Sequence, residues 1–207
     1  MRIIIFGSTG SIGQLLVQQA LDENHIVTAF VRNPDKLKNT HPNLKIFQGE
    51  VLKPDDVEKA ISNHDAVFCS LGAGSKGSVR AEGTRHIINA MEKLGVKRFI
   101  CQSTLGAGDS RGNLNFFWKY FMFGVLLRKA YHDHELQEKY VMQSKLDWTI
   151  TRPAAFVDGP RTQHYRHGFG DSEKGLTLKI SRADVADFLL KQLTTNMYLR
   201  RAAGQSY

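Results

Sequence analysis

The sequence predicts an α/β fold, a doubly wound and mostly parallel sheet in a single domain spanning residues 1–207. Two observations predict it. Short apolar runs alternate along the chain with longer amphipathic stretches, the pattern of strand–helix–strand units covered on both faces. A glycine-rich turn also lies directly between the first such run and the first helix. At this length one domain is expected, with enough chain to bury a substantial core.

Each element follows in order. Ile3 to Phe6 reads as the first strand, and Ile12 to Leu21 as a helix with Ile12, Leu15, Leu16 and Ala20 near helical spacing. Val27–Val31 and Leu44–Phe47 read as the second and third strands. Pro54 and Asp55 open a helix through Ile61, where proline suits the first turn. Ala66–Ser70 is the fourth strand. Ala81–Leu94 is a helix ended by Gly95, and Arg98–Gln102 is the fifth strand. A helix over roughly 128–144 precedes a sixth strand, Trp148–Thr151. Ser181 reads as the N-cap of a last helix through Leu193. Right-handed crossovers then favour the strand order 3-2-1-4-5-6, with Cys69 and Cys101 on neighbouring core strands. The stretch 154–175, rich in Gly, His and Arg, reads as a long loop near the carboxyl ends of the strands.

Composition excludes several classes. The hydrophobic share is 42% and the charged share 23%, ordinary for a globular protein. No run of apolar residues is long enough to span a bilayer. Met1-Arg2 leads straight into a strand and a glycine loop, so no signal peptide is expected, and two cysteines inside apolar runs fit free thiols in a reducing cytoplasm. The net charge of +8 is spread along the chain without a basic block, a zinc finger or an aromatic RNA-binding motif. This favours small anionic ligands over nucleic acid.

The strongest motif is Gly7-Ser8-Thr9-Gly10-Ser11-Ile12-Gly13. Gly7 permits the tight turn, Gly10 lets the backbone approach a pyrophosphate, and Gly13 allows the helix to pack closely on the sheet. N–H groups at the helix N-terminus then face the anion. This is the Rossmann arrangement, with the spacing G-x-x-G-x-x-G. Where NAD sites place an acid for the ribose 2′-hydroxyl, this chain has Arg32, followed by Lys36 and Lys38. A guanidinium there suits a 2′-phosphate, so NADP(H) is the expected cofactor. Glu50-Val51, Leu71-Gly72-Ala73-Gly74, Ser103-Thr104 and Arg152-Pro153-Ala154-Ala155 follow strands three to six and should line the same carboxyl edge.

These segments, GSTGSIG, VRNPDKL, SLGAG, CQSTLGAG, DWTITRP and SRADVADFLLKQLTT, span nearly the whole chain. The chain resembles the atypical short-chain dehydrogenase/reductases, and within them the biliverdin IXβ reductase (flavin reductase) branch. The resemblance implies NADPH-dependent reduction of flavins such as FMN, or of linear tetrapyrroles such as biliverdin. It also implies cofactor contacts from Gly7, Thr9, Gly10, Ser11, Ile12, Arg32, Glu50, Val51, Leu71 and Gly72. Thr104, with Ser103 beside it, matches the family's active-site serine, and His134 matches a histidine of the same cleft. Glu50 stands where the family commonly has Asp, the histidine expected after Pro153 is replaced by Ala154-Ala155, and residues 105–131 diverge and are longer.

The chemistry is narrowed by an absence. None of the six tyrosines is followed four residues on by lysine, so the Tyr-x-x-x-Lys dyad of alcohol–ketone dehydrogenases is missing. Hydride transfer to a flavin needs less, because cofactor and acceptor carry the electronics and the site supplies stacking and orientation. Substrate contacts are expected from 105–130 and 154–175. The aromatic run Phe116–Phe123 reads first as core or pocket wall, with membrane docking or a dimer face as alternatives. His132 and His134, two apart, point away from each other on a helix, so no metal is expected. Arg161, His164, Arg166 and His167 either meet acidic groups of a substrate or belong to a solvated loop. The expected partner is a small acceptor (flavin, tetrapyrrole or quinone), and the expected state a monomer or weak dimer. The competing reading is an NmrA-like protein that senses NADP(H), or an assembly factor, without turnover.

Overall fold

The computed structural model describes residues 1–72 and 79–207. Ala73 and Gly74, expected at the cleft, lie outside the described residues. The sheet begins with β1 (Arg2–Phe6), whose Ile3, Ile4, Ile5 and Phe6 are all fully buried. Alternate residues face opposite sides. Ile3 and Ile5 enter one core with Leu16, Val17 and Ala20, while Ile4 and Phe6 enter the other with Val57, Ile61, Ile87 and Met91. A strand buried on both faces must be apolar throughout, which is why it reads as a run without alternation.

The chain continues through α1 (Ser11–Asp22), β2 (Ile26–Val31), β3 (Leu44–Gln48), α2 (Pro54–Ile61), β4 (Ala66–Cys69), α3 (Val79–Leu94) and β5 (Arg98–Gln102). After these come α4 (Arg128–Gln143), β6 (Asp147–Pro153), β7 (Ala155–Val157), β8 (Arg166–His167), β9 (Lys179–Ser181), α5 (Arg182–Lys191) and β10 (Arg201–Ser206). The main sheet among the described residues has the order β3-β2-β1-β4-β5-β6-β10-β8. Its first six strands follow the expected 3-2-1-4-5-6, all pairing in parallel, with Cys69 opposite Cys101 in the buried core. Gly95 ends α3 at φ +72°, and Ser181 caps α5 by accepting the Asp184 N–H at 3.0 Å.

The structure adds to the expectations or corrects them in three places. First, the C-terminal residues, for which the sequence predicts no element, form a strand: β10 runs parallel to β6, and β8 pairs antiparallel to β10. Second, 154–175 is not one loop, because β7 pairs with β9 in a small second sheet and β8 joins the main one. Buried carboxylates hold the rest of it. Asp184 accepts from Thr162 N at 2.7 Å and Gln163 N at 2.9 Å, and Asp187 takes Arg161 at 2.7 Å and also Tyr165. Burial pushes the Asp187 carboxyl up, but bonds from Lys191, Tyr165 and Arg161 outweigh it and hold the pKa low. Third, the aromatic run forms a π-helix, Phe117–Leu126, that is mostly exposed, with only Trp118 and Phe123 packed toward the core. No helix of the described residues is long and apolar enough to cross a membrane.

Candidate functional site

The glycine turn is shaped by close backbone approaches. Gly7 has φ +83°, and a Cβ there would meet the Ser70 carbonyl oxygen at 2.3 Å, so only glycine fits beside β4. A Cβ on Gly13 would meet the Gly7 oxygen at 2.1 Å, which seats α1 tightly on the turn. Gly10 differs: its φ of −74° is open to any residue, and it stands at the N-cap of α1 with no side chain to cap the helix. N–H groups at the start of a helix have no partner within it, and α1 has no acidic residue in its first turn. The turn therefore presents an uncapped positive helix end to the cleft, the environment a pyrophosphate requires. Buried Ser8 anchors the turn by donating to the Phe30 carbonyl at 3.0 Å.

From this turn a cleft of about 340 Å³ runs along the carboxyl edge of the sheet. The strand order arranges its lining: Glu50 and Val51 after β3, with Arg32 and Lys36 after β2, lie at one end, and Gly7, Thr9, Gly10, Ser11 and Ile12 of the turn after β1 in the middle. Leu71 and Gly72 follow β4, and Ser103 and Thr104 follow β5 at the far end, where His134 of α4 joins the lining. Gly13 and the stretch Arg152-Pro153-Ala154-Ala155, all expected at the cleft, are absent from its lining. Gly13 lies beneath the turn, and Pro153 closes β6, where its carbonyl accepts the Leu105 N–H at 2.9 Å. The neighbouring Arg152 is also not in the cleft. It is buried and turned to α4, with Nη2 2.7 Å and Nε 3.0 Å from the two oxygens of buried Glu138, and it pairs with Asp109 as well.

Several residues that line the cleft or support its lining escaped sequence reasoning. Gly83 in α3 is one: a Cβ there would meet the Leu71 and Val51 side chains at 2.8 and 3.0 Å, so the glycine lets these two pack over the helix. An isolated glycine inside a helical pattern was the available signal. His86 then fixes the Val51 carbonyl through Nδ1 at 3.0 Å. Ser70 donates to Gln102 at 2.6 Å across the ends of β4 and β5. Arg80, Gln102 and Phe156 line the cleft too, but nothing local in the sequence marks them.

At the far end the polar groups are weakly engaged. Among the described residues the Ser103 hydroxyl is buried without a partner, and the Thr104 hydroxyl reaches only the Leu105 carbonyl at 3.4 Å. The Nδ1 atom of His134 also has no partner among them. Burial, aided by the Arg80 charge, pushes the His134 pKa down to about 3, so its imidazole is neutral at ordinary pH. His132 on the opposite face of α4 is exposed, and no group of metal-ligating side chains occurs among the described residues. Thr104 and Phe156 also border a second, apolar pocket of about 360 Å³, lined by Leu105, Leu114, Trp118, Phe123 and Leu178. Residues from both expected substrate segments meet in this pocket. The basic loop residues do not: Arg161 pairs with Glu23 and Asp187, Arg166 with Glu173, and His167 with the Tyr198 hydroxyl.

A model of the NAD(P)H-binding family matches residues 7–196, from the glycine turn to beyond α5. The chain belongs to that family. It is 31% identical to the UPF0659 protein YMR090W of Saccharomyces cerevisiae, over 93% of this chain and 87% of the yeast protein. It is 30% identical to the photosystem II assembly factor Ycf39 of Synechocystis over 77% of this chain, which spans only 46% of that relative's length. Neither relative is named for flavin or biliverdin reduction, so membership is shown for the broad family alone. Two solved structures superpose on the whole chain. The anaerobillin reductase ChuY of Escherichia coli O157:H7 is 23% identical, with 97% of it covered and a TM-score of 0.83. A short-chain dehydrogenase/reductase of Veillonella parvula in complex with NADP is 20% identical, with 94% covered and a TM-score of 0.82. At these identities the likeness is one of fold.

Proposed function

We propose that the protein is an NADPH-dependent reductase of a flat, conjugated acceptor: FMN, a linear tetrapyrrole such as biliverdin, or a quinone. The observation that carries this reading is the apolar pocket that opens onto the cleft at Thr104 and Phe156. A cofactor laid from the glycine turn along the cleft would end at Ser103, Thr104 and His134. A planar acceptor would lie beside that end, against Trp118 and Phe123. The ChuY and Veillonella structures support the reading by analogy of fold.

The residues present fit NADPH. The uncapped end of α1 meets the pyrophosphate, and Arg32 with Lys36 meets the 2′-phosphate. Bound there, NADPH supplies the hydride. The chain supplies position and polarity. The Thr104 hydroxyl, and Ser103 beside it, donate a hydrogen bond to the acceptor as negative charge develops on it. His134 is neutral and orients without serving as an acid. With no Tyr-x-x-x-Lys and no cationic histidine at the site, the compensating proton comes from water. The test is a steady-state screen of NADPH oxidation with FMN, biliverdin isomers and quinones. Turnover with at least one class is the expected result. Similarity to the assembly factor Ycf39 favours a second reading, a cofactor-sensing or assembly role without turnover. Tight NADPH binding with no turnover on any of these acceptors would select it.

A further inference from the structure

The π-helix Phe117–Leu126 has two faces. Trp118 and Phe123 turn inward to wall the apolar pocket. The outer face carries Phe116, Phe117, Tyr120, Phe121, Val125 and Leu126, each between 53% and 77% exposed. The outer rings pack on one another and not on the core: Phe117 stacks on Phe121 at 5.3 Å between centroids, and Phe116 lies against Tyr120 at 4.7 Å. Six large apolar side chains in one stretch form a contiguous patch, and patches of this kind mark interaction sites.

The charge around the patch indicates what covers it. Between Asp109 and Asp133 there is no acidic residue, while Arg111, Lys119, Arg128 and Lys129 lie within and beside the segment. Arg111, Arg128 and Lys129 are exposed. An aromatic apolar face whose own stretch of chain carries cations and no acid is the composition of a segment that lies in the interface of an anionic bilayer, with its rings among the acyl chains and its cations at the headgroups. A second copy of the chain is a poorer occupant. A two-fold contact would bring the same cations face to face, with no acid in the segment to offset them.

We propose that this segment docks the protein on anionic lipid surfaces. The pocket on its inner face is the acceptor pocket of the reading above, but the docking does not depend on that reading, because vesicle binding is measured without cofactor or turnover.

The test is flotation of the full chain with phosphatidylcholine vesicles, with and without phosphatidylglycerol, paired with gel filtration. Binding is expected only with phosphatidylglycerol present, and it should weaken as salt is raised. The double variants Phe117→Ser/Phe121→Ser and Arg128→Glu/Lys129→Glu alter exposed side chains that line neither pocket. Each should reduce binding by about tenfold or more while NADPH affinity is unchanged. Four results would overturn the proposal: no flotation with either vesicle, equal flotation with both, binding undiminished in the two variants, or a lipid-free dimer that Phe117→Ser/Phe121→Ser dissolves.

Discussion

Asp133 of α4 caps the start of α3. Its Oδ1 accepts the Ala81 N–H at 3.0 Å, its Oδ2 accepts the Arg80 N–H at 3.1 Å, and the Arg80 guanidinium stands 3.5 Å from the same oxygen. One buried carboxylate thus serves first-turn donors of α3 that have no partner within the helix, at the end where the dipole favours an anion. It also joins the two helices that bring Arg80 and His134 to the cleft.

Replacing Asp133 with Asn keeps the shape but removes the charge and one acceptor. Loss of a charge-assisted bond at a buried site costs about 1–3 kcal/mol. The denaturation midpoint of Asp133→Asn should fall with its denaturant dependence unchanged. A midpoint equal to that of the parent protein would show that the carboxylate is idle.

The proposed preference for NADPH rests on Arg32. Charge-assisted hydrogen bonds to a 2′-phosphate are worth about tenfold to a hundredfold in affinity. Arg32→Ala should bring NADPH affinity down toward that of NADH and leave NADH nearly unchanged. Titration by nicotinamide fluorescence checks both arms, and equal affinities in the unmutated protein would defeat the assignment.

Gly10 and Gly13 of the turn should separate by phenotype. At Gly10 the backbone accepts any residue, and a Cβ meets only the Gly7 oxygen at 3.2 Å, so Gly10→Val should fold and fail to bind NADPH. At Gly13 a Cβ would lie 2.1 Å from that oxygen, so Gly13→Ala should lower the melting temperature even without ligand. A Gly10→Val protein that still binds NADPH would mean the turn holds no phosphate.

What the sequence displays and what it hides divide on physical grounds. Strands β1, β2, β4, β5 and β6 are legible because burial on both faces demands apolar runs such as Ile3-Ile4-Ile5-Phe6, whereas the half-exposed edge strand β3 reads only from its Leu44, Ile46 and Phe47. The glycine turn is legible because its chemistry is local. β10 is not: its Ala, Gly, Gln and Ser residues carry no strand signal, yet Ala203 to Ser206 are buried because Gly204 leaves room for the Phe169 ring. Arg152–Glu138 and Arg80–Asp133 join residues 14 and 53 positions apart, so only the fold reveals them. The aromatic run misleads because composition favours a core, whereas the π-helix turns most of its rings outward.

At the reacting end no group is a strong acid, so single losses should be mild. Thr104→Ala removes one hydrogen bond and should slow turnover about tenfold, with His134→Ala similar. A thousandfold loss in either would indicate a dedicated proton donor. Because His134 stays neutral down to about pH 3, it should contribute no inflection to kcat/KM between pH 5 and 8.

The same histidine makes the fold acid-sensitive at unusually mild pH. In the unfolded chain an imidazole titrates near pH 6.5. In the fold, burial first and then the Arg80 charge hold His134 at about 3. Above pH 6.5 both states are neutral there and nothing is lost. As pH falls below 6.5 the unfolded state takes up a proton that the folded state refuses, and stability declines by up to about 1.4 kcal/mol per pH unit. Between pH 6.5 and 5 this amounts to about 2 kcal/mol from one residue. His64, lowered mainly by burial, adds to the slope in the same direction, but its partial exposure keeps its share smaller. The buried carboxylates Asp184 and Asp187 have lowered pKa values, so their contribution is lost only below the ordinary carboxylate range and does not confuse the window. His134→Gln removes the titrating group while keeping a polar side chain in place. Its unfolding free energy, measured by urea titration, should fall visibly less than that of the parent between pH 6.5 and 5. Parallel slopes in the two proteins would mean that His134 accepts its proton within the fold.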